Sequence, residues 1–300
     1  MESTDVAEER PSPTVAPADT VDFWGQRLGF SKFGSTGLPQ VNLGVIDGPF
    51  RAEHPDFQNR LIQTVGQSPT CRMPSSRECQ HGSFVLGVLT RLVPGCTFTL
   101  SALFPEVPPG EKAPVITAAP LADALQQLLD QKVAVVNLSL GLASSALREE
   151  PALTRAFDRA SQQGTLIVAA SGNQGRVGQV PLFSHPWVLT VAAQDRNGRV
   201  LAGSNLGPSV GRYGLSAPGE GVLSTGAEGP PVRMTGTSVA APFVSAAAAL
   251  LLSAGQAPRD VLAALRGPAA ERRSIVPPSL SLTAAAARLG LTLPIGGSES

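Results

Sequence analysis

The sequence predicts an α/β fold in which a mostly parallel central sheet carries helices on both faces. Short apolar runs alternate with helical stretches along the chain, a pattern typical of right-handed crossovers between parallel strands. Hydrophobic residues make up 42% of the chain and charged residues 15%, which favours a deeply buried sheet over a disordered chain. A chain of 300 residues can bury this sheet within one large domain.

Elements and boundaries follow from the same pattern. Strands are predicted at Val41–Asp47, Thr97–Leu103, Val133–Leu138, Thr165–Ala170 and Val188–Ala193. Helices are predicted at Gly82–Leu92, Pro120–Gln131, Pro151–Gln163, Ser238–Ser253, Pro258–Leu265 and Leu282–Leu289. Residues 21–293 are expected to form the domain, between a mobile acidic tail at 1–20 and a flexible tail at 294–300.

Ser238 is the most informative residue of the chain. A turn of small residues that includes Gly236 and Thr237 delivers it to the start of a long apolar helix. Free backbone N–H groups and the positive end of the helix dipole surround a serine in that place, which suits a nucleophile whose reaction develops an oxyanion. An ordinary N-cap serine is the alternative interpretation.

Two further residues are candidates for the base and the acid that a serine nucleophile needs. Asp47 ends a short apolar strand, at the edge where open α/β sheets place catalytic groups, although a turn-forming aspartate is an alternative. His81, one of three histidines, opens the predicted helix Gly82–Leu92, and a structural histidine is the alternative there.

The order Asp47, His81, Ser238 resembles that of the subtilisin-like serine proteases, so the resemblance implies their three-layer fold. In such a triad the serine attacks a peptide carbonyl, the histidine takes its proton and the aspartate orients the imidazole. The resemblance extends over nearly the whole chain after the first twenty residues. The further matching segments are Phe23–Gly29, Glu53–Phe57, Val136–Gly141, Val168–Asn173 and Leu215–Gly221.

The resemblance also implies an oxyanion hole and a substrate cleft. Asn173 would donate its side-chain amide to the oxyanion together with the Ser238 N–H, the alternative being a turn residue beside Gly172. An extended peptide or protein substrate would pair with two segments of small residues, for which ordinary strand packing is the alternative. These segments are Ser139, Leu140 and Gly141, and Ala170, Ser171 and Gly172.

Charge and composition argue against other partners. The 23 basic and 23 acidic residues balance without a basic patch, so no nucleic acid is expected. The apolar run 238–252 is shorter than the ~20 residues that span a bilayer, so no membrane is expected. Because the N-terminus lacks the basic start and apolar core of a secretory signal, we expect a cytoplasmic protein. The sequence indicates no oligomeric state.

No cofactor and no metal ion are predicted. Cys71 and Cys79 flank the loop that leads to His81 and could form a disulfide, whereas their spacing lacks the paired ligands of a zinc site. The stretch Arg91–Gly95 runs directly into a strand and lacks the loop that binds calcium in many secreted relatives, so no calcium is expected there.

The turn Asp47-Gly48-Pro49 and the stretches Val200–Gly207 and Ala217–Gly221 resemble the subtilisin-like proteases of cyanobactin-type peptide biosynthesis. This resemblance implies the maturation of a ribosomally made precursor peptide. The interval from Asp47 to His81 leaves little room for the capping insertion of the macrocyclising relatives, so we favour hydrolysis over transamidation. The alternatives are a general intracellular protease and a pseudoprotease that binds peptides without cutting them.

Overall fold

A computed structural model provides the structure of the chain. It describes residues 8–9, 19–33, 40–66, 70–108, 110–111, 114, 116–139, 151–178, 184–268 and 273–292. Ten strands lie in these residues: β1 (Glu8–Glu9), β2 (Asn42–Asp47), β3 (Leu61–Thr64), β4 (Thr97–Ala102), β5 (Val135–Leu138), β6 (Leu166–Ala170), β7 (Val188–Gln194), β8 (Leu215–Pro218), β9 (Val222–Ser224) and β10 (Val232–Met234).

Eight α-helices lie in the same residues: α1 (Val21–Leu28), α2 (Arg77–Leu92), α3 (Ala118–Asp130), α4 (Pro151–Gln163), α5 (Pro208–Tyr213), α6 (Thr237–Ser253), α7 (Pro258–Arg266) and α8 (Leu282–Arg288). None of the helices in these described ranges is both long and apolar enough to cross a membrane.

The central sheet contains seven of the described strands in the order β3-β4-β2-β5-β6-β7-β8, and every neighbouring pair is parallel. Strands β5, β6 and β7 are buried along their whole length, as expected for a parallel sheet covered on both faces. The predicted α/β class with a mostly parallel central sheet is confirmed.

The chain reverses its direction across the sheet at β2, and this reversal positions the site. From β2 the chain leads to the edge strand β3, whereas from the neighbouring strand β5 it leads the other way, through α4 to β6. Helix α2 packs against α6, whereas α3 packs against α4. Asp47, the last residue of β2, therefore lies at a topological switch point, where open α/β sheets bind their ligands.

Helix α6 is the buried centre of the domain. It packs against α2 and against strands β5 to β8, and its residues from Thr237 to Ala249 are all buried. Six of its 17 residues are alanines, and their small side chains allow the close approach to the sheet. This packing brings the first turn of α6 beside the carboxyl ends of the central strands.

A small antiparallel sheet lies beside the main one. It has the order β1-β10-β9, with Glu8 opposite Met234 and Glu9 opposite Arg233. Asp19 forms an ion pair with Arg233 as well. Parts of the segment predicted as a tail are thus paired with the domain, whereas the domain boundaries at residues 20 and 293 stay predictions.

The start of α2 differs from the sequence prediction. The helix begins at Arg77, with Ser76 as its N-cap accepting a hydrogen bond from the Cys79 N–H at 3.2 Å. His81 therefore lies in the second turn of the helix and does not open it. The prediction began the helix at Gly82 because the apolar run begins there, but a capping serine starts a helix without regard to that run.

Candidate active site

The structure brings Asp47, His81 and Ser238 together although they lie on three different elements. The His81 Nδ1 atom lies 2.6 Å from Asp47 Oδ1, and the His81 Nε2 atom lies 3.0 Å from Ser238 Oγ. Both distances are in hydrogen-bonding range. The arrangement has the geometry of a nucleophile, a base and a group that orients the base.

Close backbone packing places His81 against Asp47. A Cβ atom on Gly82 would lie 2.3 Å from the Pro49 carbonyl oxygen, and one on Gly48 would lie 2.3 Å from the Glu78 carbonyl oxygen. The turn after β2 and the first turns of α2 therefore touch through their main chains. Side chains at either glycine would push the two elements apart.

Asp47 is buried, and its two carboxylate oxygens have different surroundings. Oδ1 accepts hydrogen bonds from the Gly48 N–H at 2.7 Å and from His81. Oδ2 is buried without a hydrogen-bond partner among the described residues. Among the described residues, the carboxylate is therefore paired through Oδ1 alone.

The pKa of His81 is raised above its ordinary value of 6.5. Burial by itself lowers this pKa, because a buried imidazolium loses hydration. The charge of Asp47 and its hydrogen bond to the ring raise the pKa. The charge of Arg77 lowers it and that of Glu78 raises it, both by smaller amounts. The net direction shows that Asp47 stabilises the protonated ring, as a general base needs when it takes a proton.

Asn173 faces the turn before the nucleophile. Its Oδ1 atom accepts hydrogen bonds from the Thr237 N–H at 2.8 Å and from the Thr237 hydroxyl at 2.9 Å. A Cβ atom on Gly236 would lie 3.0 Å from Asn173 Nδ2, so the amide group lies close to this turn. Because the oxygen end is held, the NH2 end is the one left to donate to a ligand.

Thr237 and Asn205 hold the Asn173 loop, a role that was not predicted for either residue. Asn205 Oδ1 accepts hydrogen bonds from the Gln174 and Arg176 N–H groups, and its Nδ2 donates to the Ser171 carbonyl oxygen at 3.0 Å. Both residues fall within segments that the family resemblance had singled out. Their hydrogen bonds, however, join segments that lie far apart in the chain, and a sequence motif does not show which distant residues it contacts.

The predicted substrate-binding residues have three different outcomes. Ser139 is buried, and its hydroxyl donates to the Ser238 carbonyl oxygen at 3.0 Å, so its side chain points to the nucleophile's backbone. Leu140 and Gly141 lie outside the described residues. Ala170, the last residue of β6, is buried.

Ser171 and Gly172 follow Ala170 directly and are held inside the protein. The Ser171 N–H donates to the Val191 carbonyl oxygen, and the Gly172 N–H donates to the Thr237 hydroxyl at 3.1 Å. The Gly172 carbonyl oxygen accepts a hydrogen bond from the Asn205 N–H. A role of this segment as a wall of the cleft stays a prediction, and backbone pairing with a peptide would have to displace these bonds.

The loop of residues 71–76, which leads into α2, is bonded both to α2 and to the loop after β4. Cys71 and Cys79 form a disulfide, and Glu106 accepts hydrogen bonds from the N–H groups of Arg72 and Met73, each at 2.8 Å. The two sulfur atoms and the Glu106 carboxylate lie within 4.8 Å of one another. Since a disulfide has no thiolate to offer, this cluster does not have the ligands of a zinc site.

Comparisons with known proteins find relatives of this chain both by sequence and by structure. The sequence model of the Subtilase family matches residues 39–266, a range that includes Asp47, His81, Asn173 and Ser238. The chain is 36% identical over 135 residues to a thermostable alkaline protease of Halalkalibacterium halodurans, covering 45% of this chain and 36% of the relative. It is 29% identical over 228 residues to a thermophilic serine proteinase of Bacillus sp. strain AK1, covering 74% of this chain and 54% of the relative. The chain thus spans about a third to a half of these two curated relatives.

Solved structures show the same fold over nearly their full length. The prenylagaramide maturation protease PagA has a TM-score of 0.74 and 27% identity, covering 88% of this chain and 99% of that chain. The patellamide maturation protease PatA has a TM-score of 0.68 and 26% identity, covering 84% of this chain and 98% of that chain. With a family match over most of its length and the fold of these proteases, the chain belongs to the subtilase family.

Proposed function

We propose that this protein is a serine endopeptidase whose catalytic triad is Asp47, His81 and Ser238. The observation that carries the proposal is the unbroken line of contacts from Asp47 Oδ1 through both ring nitrogens of His81 to Ser238 Oγ. Its support is the membership of the chain in a family whose relatives are named as proteases.

The geometry suggests a role for each group. Ser238 Oγ attacks the carbonyl carbon of the scissile peptide bond while its proton passes to His81 Nε2, 3.0 Å away. Asp47 holds the Nδ1–H and stabilises the imidazolium that forms. The amide of Asn173 and the Ser238 N–H donate hydrogen bonds to the tetrahedral oxyanion.

The second half of the reaction uses the same groups in reverse. His81 passes its proton to the leaving amine, the carbon–nitrogen bond breaks, and an acyl ester on Ser238 remains. Water then attacks the ester while His81 takes its proton, and His81 returns that proton to Ser238 Oγ as the carbon–oxygen bond of the ester breaks. The products are a free carboxylate and the restored serine.

The substrate class that we propose is a ribosomally made precursor peptide, bound in extended form. The similarity of the fold to PagA and PatA, which are maturation proteases, supports this proposal. We favour hydrolysis because the sequence between Asp47 and His81 is short. A general protease of the same mechanism is the second candidate, favoured by the named activities of the curated relatives.

The predicted cytoplasmic location is also a proposal, and it conflicts with the disulfide. Thiols stay reduced in the cytoplasm of most mesophiles, whereas the structure pairs Cys71 with Cys79. Counting free thiols in protein that is alkylated under denaturing conditions during lysis tests the point, because Cys96 is buried. One free thiol, that of Cys96, would contradict a reducing compartment, and three would support it.

Labelling with a fluorophosphonate probe tests the nucleophile directly. We expect purified protein to be labelled and the Ser238→Ala variant to remain unlabelled while it stays folded. Ser253→Ala is the matched control, because Ser253 lies at the far end of the same helix and its hydroxyl bonds to the Leu250 carbonyl oxygen. Folded wild-type protein that remains unlabelled would favour a pseudoprotease and contradict the proposed activity.

Cleavage assays separate the two kinds of protease. A maturation protease is expected to cut one precursor peptide at one position and to leave unfolded casein nearly intact. Digestion of casein at many sites would support the general protease.

A further inference from the structure

A chain of three hydrogen bonds connects Ser245 to the backbone of the nucleophile. The Ser245 hydroxyl donates to Asn137 Oδ1 at 2.8 Å, and Asn137 Nδ2 donates to Ser139 Oγ at 2.7 Å. The Ser139 hydroxyl then donates to the Ser238 carbonyl oxygen at 3.0 Å. All four residues are buried, with exposed fractions of at most 3%.

A proline explains why the Ser238 carbonyl oxygen needs this bond. In an α-helix that oxygen would accept from the N–H of the residue four positions later, which here is Pro242. Proline has no N–H, so the helix itself leaves the oxygen unpaired. The Ser139 hydroxyl replaces the missing donor, and an unpaired buried carbonyl would cost free energy.

The direction of the chain depends on Ser245. A hydroxyl has a single proton to donate, so Ser139 can give it either to Ser238 or to Asn137, but not to both. It gives the proton to Ser238 because Asn137 presents its NH2 end to Ser139. Asn137 keeps that orientation because its oxygen is the end that accepts from Ser245.

We propose that Ser245 is a positioning residue, which acts through Asn137 and Ser139 to hold the backbone of Ser238 for attack. The proposal rests on the proposed function, since it assigns a role in the same reaction. Without the Ser245 hydroxyl, the side-chain amide of Asn137 can flip, so that its Oδ1 atom accepts a hydrogen bond from the Ser139 hydroxyl. The Ser238 carbonyl then loses its donor, and the first turn of α6 is free to shift relative to His81.

The reaction of Ser238 with the fluorophosphonate probe tests the role in catalysis. Ser238 Oγ attacks the phosphorus atom, fluoride leaves and a phosphonyl ester forms through the same nucleophilic attack as acylation by a substrate, so its rate stands for the acylation rate. In Ser245→Ala we expect the limiting rate of acylation to fall by about three- to tenfold, the effect of one ordinary hydrogen bond, with the dissociation constant of the probe unchanged. Ser253→Ala on the same helix should leave both constants unchanged. A limiting rate in Ser245→Ala equal to that of the wild type would overturn the proposal.

A double-mutant cycle separates positioning from a general loss of packing. If Ser245 acts through Ser139, then Ser245→Ala has no further effect on the acylation rate in a Ser139→Ala background. Effects that multiply in full would show that Ser245 acts by another route and would contradict the chain.

A spectroscopic readout tests the chain even if the protein proves to have no activity. Labelling with 13C-carbonyl serine and 15N valine reports only Ser-Val peptide bonds, which occur at Ser209-Val210 and Ser238-Val239. In Ser245→Ala the carbonyl signal of Ser238 should shift while that of Ser209 stays in place. An unshifted Ser238 signal would refute the chain, whereas failure of the wild type to acylate would refute only the proposed function.

Discussion

The nucleophile and the acid–base pair are held in place by different means. Around Ser238, side chains make the contacts: Ser139 bonds to its carbonyl oxygen, and Thr237 anchors Asn173 beside it. Between Asp47 and His81, backbones pack directly against each other at Gly48 and Gly82. Substitutions that shorten side chains should therefore lower the activity when they are made around Ser238. Substitutions that add atoms should lower it when they are made between Asp47 and His81.

The largest expected effect lies in the acid–base pair itself. Asp47→Asn keeps the volume of the side chain but removes the charge that fixes the tautomer of His81. We expect the acylation rate to fall by about 10⁴-fold, as when the corresponding charge of a serine-protease triad is removed. A loss below tenfold, measured with the fluorophosphonate probe, would show that Asp47 does not orient the base.

Removal of atoms on the nucleophile side should have the next largest effect. Asn173→Ala deletes the proposed oxyanion donor, and we expect the acylation rate to fall by about 10²–10³-fold. The Thr237 groups also lose their acceptor, so unfolding should be measured in parallel. A variant that unfolds like the wild type and still acylates at its rate would exclude Asn173 from the oxyanion hole.

Addition of one methyl group tests the other side of the comparison. In Gly82→Ala the new Cβ would lie 2.3 Å from the Pro49 carbonyl oxygen and 2.5 Å from that of Gly48, so α2 and the Asp47 turn must move apart. A displacement of about 1 Å in a catalytic group can cost about 10²-fold in rate. The matched control is Gly95→Ala, because nothing lies within 4 Å of its Cβ and its rate should not change. Equal rates in both variants would mean that the backbone contact does not position His81.

The smallest expected effect is a displaced pH profile. Because the pKa of His81 is raised above 6.5, the neutral base is lost as the pH falls through a value above 6.5. The midpoint of the acid limb of the acylation rate should lie above pH 6.5 in the wild type and lower in Asp47→Asn, where burial acts without the charge. The same raised pKa should stabilise the fold at low pH, a contribution that is lost as the pH rises through it. A midpoint unchanged by Asp47→Asn would contradict the assigned cause.

Local patterns predicted five of the seven strands in the described central sheet. The runs that became β5, β6 and β7 are mostly apolar, because a parallel sheet covered on both faces buries both sides of its strands, whereas those that became β2 and β4 include more polar residues. The two edge strands, β3 (Leu61–Thr64) and β8 (Leu215–Pro218), were not predicted. Neither has a long apolar run: three of the four residues of β3 are exposed, and β8 is short and ends in proline.

By itself, the sequence determined the fold class and named the three residues that meet in the site. It could do so because a local pattern marks each of them. Asp47 ends a predicted strand, His81 precedes a predicted helix, and Ser238 follows a turn of small residues. The tertiary structure alone decided where the side chains around them point. Ser139 is predicted to line the substrate cleft through its backbone, and the structure shows that its hydroxyl donates to the carbonyl that Pro242 leaves unpaired. Such a contact depends on how β5 and α6 pack, and no local pattern records a distance between segments that lie far apart in the chain.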